Sequence, residues 1–117
     1  MDPLDLSGIR AANDLPVTAM DIPEWGGKIF LRPMSNGQAD LFSKVASEGA
    51  AGENPGHAMA VTVALMMCKE SGKPMFPNVD EGVKLLGEKS SQVVQRIFSK
   101  AMEIAGNTEP TAEAGKG

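Results

Sequence analysis

The chain has few of the side chains that carry out chemistry. Its 117 residues include one cysteine (Cys68), one histidine (His57), one tryptophan (Trp25) and no tyrosine. A single cysteine excludes an internal disulfide and any multi-cysteine metal site, and it points to a reducing compartment. A single histidine, with Ala60 and Val61 at the i+3 and i+4 positions, has no second ligand at helical spacing, whereas zinc needs three or four. A catalytic thiol or hydroxyl needs a base beside it, and only His57 could supply an imidazole. We therefore expect no catalytic residue, no metal and no cofactor, and a protein that is not an enzyme. Lysine and arginine occur singly, with no basic stripe, and the net charge is −4, which argues against nucleic acid as a partner. No apolar run approaches the about 20 residues of a membrane span. The opening Met1-Asp2-Pro3-Leu4-Asp5 is acidic and has no apolar signal core, so the expected location is cytoplasmic.

One near-motif is rejected. Gly82-Val83-Lys84-Leu85-Leu86-Gly87-Glu88-Lys89-Ser90 approaches a phosphate loop, but Glu88 shifts the lysine out of register and places negative charge where phosphate would lie. The acids Asp80 and Glu81 are explained by the positive end of a helix dipole.

What the chain does have is an apolar centre. Between Asn54-Pro55 and Gly72 runs Ala58-Met59-Ala60-Val61-Thr62-Val63-Ala64-Leu65-Met66-Met67-Cys68, with one hydroxyl and no charge. Asn54 suits a helix N-cap, Pro55 the first helical position, Gly72 a left-handed stop, and Pro74 bars resumption. A helix apolar all round has to be covered on several sides, by its own domain or by a partner.

Around it the pattern predicts a small single α+β domain, mainly α. Residues 1–14 form a flexible polar leader with a weak helical pattern (Leu4, Ile9, Ala12), a segment that is frayed or docks only in an assembly. Residues 15–106 form the domain, and residues 107–117, lacking large apolar side chains, form a disordered tail. Val17 to Ile22 alternates as a strand, Gly26-Gly27 permit a reversal, and Lys28 to Met34 return, with Pro33 marking a strand end or open edge. Ser35 and Gln38 have capping-box spacing, opening a helix whose apolar face is Ala39, Phe42, Val45 and Ala46. Ser47 to Glu53 reads as a mobile loop. Asn78 and Glu81 repeat the capping spacing before Val79–Leu86, which Gly87 closes. Ser91 to Ala105 is an amphipathic helix with Val94, Ile97, Phe98, Ala101, Met102, Ile104 and Ala105 on one face. The architecture is thus an N-terminal β-hairpin followed by about four helices.

Eight methionines against five aromatics is an unusual balance. Methionine is flexible and polarizable, and recurs on surfaces that accept varied apolar partners. Met59, Val63, Met66 and Met67 are the candidates for such a partner-binding surface, with Trp25 as an anchor at the hairpin turn. Core filling is the alternative for the methionines, and a lid over the core is the alternative for Trp25.

Four segments in order carry a resemblance: Ile22-Pro23-Glu24-Trp25-Gly26-Gly27 within Val17 to Arg32, Met34-Ser35-Asn36-Gly37, Gly72-Lys73-Pro74-Met75-Phe76, and Leu85-Leu86-Gly87-Glu88-Lys89-Ser90 before the last helix. Over about residues 4–106 the chain resembles the tail assembly chaperones of long-tailed, lambda-like phages and prophages. The resemblance implies a protein that binds the tape measure protein and keeps it soluble while the tail tube polymerises, without remaining in the virion. It also implies the host cell cytoplasm, self-association into homo-oligomers, and contact with the tail tube protein through a longer form made by ribosomal frameshifting. The terminal Ala114-Gly115-Lys116-Gly117 is compatible with a slippery codon run. A structural tail or head–tail connector subunit is the alternative reading.

Overall fold

The computed structural model describes residues 2–46 and 55–106. Expectations for Ser47 to Glu53, for the Asn54 cap, for the tail 107–117 and for its terminal codons lie outside the described residues. Five helices and three strands run in the order α1 (Leu6–Ala11), β1 (Thr18–Ile22), β2 (Gly27–Leu31), α2 (Asn36–Ala46), α3 (Pro55–Met66), β3 (Met67–Cys68), α4 (Val79–Leu86) and α5 (Ser91–Ile104). A 3-10 turn at Pro23–Trp25 joins β1 to β2.

β1 and β2 form the expected antiparallel hairpin, in register from Thr18 opposite Leu31 to Ile22 opposite Gly27. Gly26 makes the reversal at φ +78°, a conformation that disfavours any side chain. The return strand ends at Leu31 rather than Met34, just before Pro33, whose missing N–H cannot extend a ladder. The inward side chains Ile22, Ile29 and Leu31 are buried.

The weak helical pattern of the leader forms a helix, α1, so there are five helices among the described residues where about four were expected. The central helix also stops earlier than expected. It ends at Met66, and Met67–Cys68 leave it to become a third strand on the free edge of β2, with Leu31 opposite Met67 and Phe30 opposite Cys68. The physical reason is backbone pairing. The Arg32 N–H donates to the Met66 carbonyl at 3.0 Å, and the Met75 N–H donates to the Met67 carbonyl at 3.0 Å. The turn that follows is closed by Lys69 N–H to Lys73 O and Gly72 N–H to Lys69 O, each 2.8 Å. Gly72 is left-handed, at φ +93°, but it serves this turn and not a helix end.

α3 is the centre of the core, packed against α2, α4 and α5. Every residue from Ala60 to Cys68 is buried. The fold therefore hides most of the apolar run by itself. Leu86 of α4 and Val93, Val94, Ile97 and Ala101 of α5 complete the core. Asn78 caps α4, its side chain accepting from Asp80 N–H at 2.9 Å, and Gly87 closes the helix as expected, in a right-handed conformation (φ −65°).

Gly82 sets how closely α4 approaches α3. A Cβ there would stand 2.6 Å from Phe76 Cδ2 and 3.0 Å from Ala64 Cβ. Overpacking of this kind costs about 1–3 kcal/mol, against the roughly 1 kcal/mol that alanine gains over glycine in a helix. Gly82→Ala is therefore expected to lower the midpoint of thermal unfolding, although an exposed helix would gain from the same change; a raised midpoint would refute the close approach.

Candidate partner-binding groove

α5 carries two adjacent apolar stripes. Val94, Ile97 and Ala101 face the core, while Phe98, Met102 and Ala105, spaced i, i+4, i+7, lie at its margin. Across from them α3 presents Ala58, Met59, Thr62 and Met66, and α2 contributes Phe42. Pro33 and Met34, leading from β2 into α2, close one end. These residues bound a groove of about 630 Å³.

Its chemistry is narrow. Thr62 is the one lining residue with a polar side chain, and its hydroxyl donates to the Ala58 carbonyl at 3.0 Å. The walls therefore offer apolar surface, with no acid, base or nucleophile. Four of the eight methionines, Met34, Met59, Met66 and Met102, line it. Unbranched thioether chains let such walls adjust to differently shaped apolar ligands.

The position of α2 in this groove is fixed by Gln38. Its Oε1 accepts from Ser35 N–H (3.0 Å) and from Arg32 Nη2 (3.3 Å). The Ser35 hydroxyl accepts from Gln38 N–H (3.2 Å), which completes the capping box read from the sequence. Gln38 Nε2 also donates to the Leu65 carbonyl (2.8 Å), satisfying one of the last orphan acceptors of α3. Gln38→Ala leaves that carbonyl and the Ser35 N–H without these partners, at an expected cost of about 1–3 kcal/mol. Denaturant titration measures it, and an unchanged midpoint would mean that the clasp does not hold α2 in place.

The structure separates the residues singled out from the sequence. Met59 lines the groove wall and Met66 its floor, where it is 1% exposed. Val63 and Met67 are buried and do not line the groove: Val63 belongs to the core cluster and Met67 to β3, the core-filling alternative of the sequence reading. Trp25 is part-exposed at the hairpin turn and does not line the groove. There Glu24 and Arg96 join the turn to α5 through paired hydrogen bonds of 2.6 and 3.0 Å, and the Arg96 guanidinium holds the Glu24 carboxyl below its ordinary range. The sign follows: this link is intact above the ordinary carboxylate range and is lost as pH falls through the depressed value. Sequence reasoning placed Phe42, Phe98 and Met102 on core faces and missed that they border an open groove. The signal available was the width of the apolar face of α5, broader than one packing stripe.

The other reactive groups stay apart. Burial pushes the Cys68 thiol up, against a smaller opposing effect of Arg32, so it is a poor thiolate. Among the described residues no three His, Cys, Asp or Glu side chains are grouped to hold a metal ion, and no helix is long and apolar enough to cross a membrane.

No protein-family model matches the chain, and no curated protein matches it. A solved structure does: the bacteriophage HK97 tail assembly chaperone aligns with TM-score 0.61 and 21% sequence identity, over 85% of this chain and 95% of that one. At this identity the likeness is one of fold, an α+β domain with an antiparallel sheet and a helical body.

Proposed function

We propose that this chain, built on the fold of a phage tail assembly chaperone, is itself such a chaperone: it binds the tape measure protein and holds it soluble in the host cytoplasm while the tail tube polymerises. The observation that carries the proposal is the groove, apolar in its lining side chains except for Thr62 and lined by four methionines. A long helical client presents apolar side chains at i, i+3, i+4 and i+7, and a groove of this kind takes such a face. Adaptable walls suit a client whose segments differ from one another. A net charge of −4 supports the solubility of the complex. The shared fold supports the same reading, because the HK97 protein is described as a tail assembly chaperone.

The test is co-expression with the tape measure protein of the same phage. The expected result is a client that stays soluble and co-purifies with this chain, and a chain absent from purified virions. A client that aggregates equally with and without it would contradict the proposal. Finding the chain in virions would support a structural tail or head–tail connector subunit instead.

A further inference from the structure

The groove is closed at its Met66 end, where Arg32 N–H bonds the Met66 carbonyl and Pro33 and Met34 follow. At the Met59 end it runs on. Met59 also lines a second cavity, of about 480 Å³, bounded by α3, α4 and α5. The face of α5 is shared in the same way. Ser91 and Gln95 line the second cavity, while Phe98, Met102 and Ala105 line the groove. Steps of three and four positions keep these five residues on one stripe of the helix. From Ser91 to Ala105, at about 1.5 Å per residue, that stripe is about 21 Å long.

The chemistry changes along it. The half from Phe98 onward meets methionine and phenylalanine. The half at Ser91 and Gln95 meets Lys89 and His57, and no aspartate or glutamate lines it. Glu88, one position before the lysine, is exposed and does not line the cavity. Among the described residues the ion pairs are Arg96 with Glu24 and Lys100 with Glu103, which leaves the Lys89 ammonium without a carboxylate. An ammonium, an imidazole, a hydroxyl and an amide all donate hydrogen bonds. An ionised carboxylate only accepts them, so it is the side chain that this end of the trough complements.

We infer that the groove and the second cavity form one trough, which selects a helical client carrying a carboxylate seven positions from its apolar stripe. The apolar side chains seat between Met59 and Met102, and the carboxylate seats on Lys89 beside His57. Ser91 and Phe98 are seven positions apart, about 10 Å, and a client helix lying alongside repeats that spacing on one face. The inference rests on the reading of the groove as the site for a helical client and adds a charge requirement to it.

The test uses the full chain and synthetic helical peptides with leucines at i, i+4 and i+7. Glutamate, glutamine or lysine stands seven positions before the first leucine in one series and seven after the last in another. Fluorescence anisotropy of a peptide label reads the affinity. In one of the two series the glutamate peptide is expected to bind roughly fivefold tighter than the glutamine peptide, the scale of a partly exposed ion pair, with the lysine peptide weakest. Lys89→Glu changes an exposed side chain and is expected to reverse that order. Lys84→Glu, the same charge change at an exposed position of α4 outside the trough, is expected to keep it. Equal binding of the three peptides in both series would overturn the carboxylate seat and leave the apolar groove standing as the client site. A glutamate preference that survives Lys89→Glu, or that Lys84→Glu removes as well, would also overturn it. Failure of every peptide to bind would overturn it together with the helix-in-groove reading. Capture of the tape measure protein on co-expression reports on that reading separately.

Discussion

If the groove holds the tape measure protein as proposed, Met59→Asp combined with Met102→Asp is expected to leave the domain folded and to abolish capture of that client. Both side chains line the groove and are only partly buried, so each carboxylate stays hydrated in the free protein. An apolar client face would have to strip that water without offering a partner, and burying an unpaired charge costs several kcal/mol. A loss of even about 3 kcal/mol weakens binding roughly 100-fold. Pull-down from co-expressing cells measures the effect, with circular dichroism as the check on folding. A folded double variant that retains its client at wild-type yield would place the binding surface elsewhere.

Met66→Ser with Met67→Ser has the opposite character: it unfolds the domain. Met66 and Met67 are 1% and 5% exposed, the first beneath the groove and the second in β3 against Leu31. Truncating a buried methionine costs about 2–5 kcal/mol, and each serine adds a hydroxyl with no assigned partner. Two such losses consume most of the 5–15 kcal/mol by which a domain is stable. Thermal unfolding should lose its cooperative transition near room temperature or just above. A double variant that melts within a few degrees of wild type would favour the partner-binding surface over core filling, the two readings the sequence left open for these methionines.

Met66 and Met67 mark what the sequence could and could not disclose. Local signals were legible. Ser35 with Gln38, Asn78 before Val79, the hairpin of Thr18–Ile22 with its return strand, and the core stripe of α5 each rest on neighbours close in the chain. The exit from α3 at Met66 was not, because an apolar run without period reads equally well as buried helix or buried strand. What decides it is the free edge of β2, more than thirty positions earlier in the chain. The groove was hidden for a related reason. Phe42, Phe98 and Met102 have the spacing of core residues, and whether a margin is covered depends on how far apart two helices stand. Val93, buried at 3%, was passed over although its i+4 spacing to Ile97 and i+8 spacing to Ala101 put it on the same face. Of the two covers the apolar run required, its own domain or a partner, the domain supplies the cover from Ala60 onward, and an open apolar groove lies where α2, α3 and α5 meet.

The most direct test of that account is site-specific photo-crosslinking in cells that co-express the tape measure protein. A photoreactive residue replaces Phe42 at the groove in one variant, and Leu85 on the exposed face of α4 in another. The account predicts crosslinks to the client from position 42 and none from position 85. Crosslinks from position 85 with a silent position 42 would contradict it.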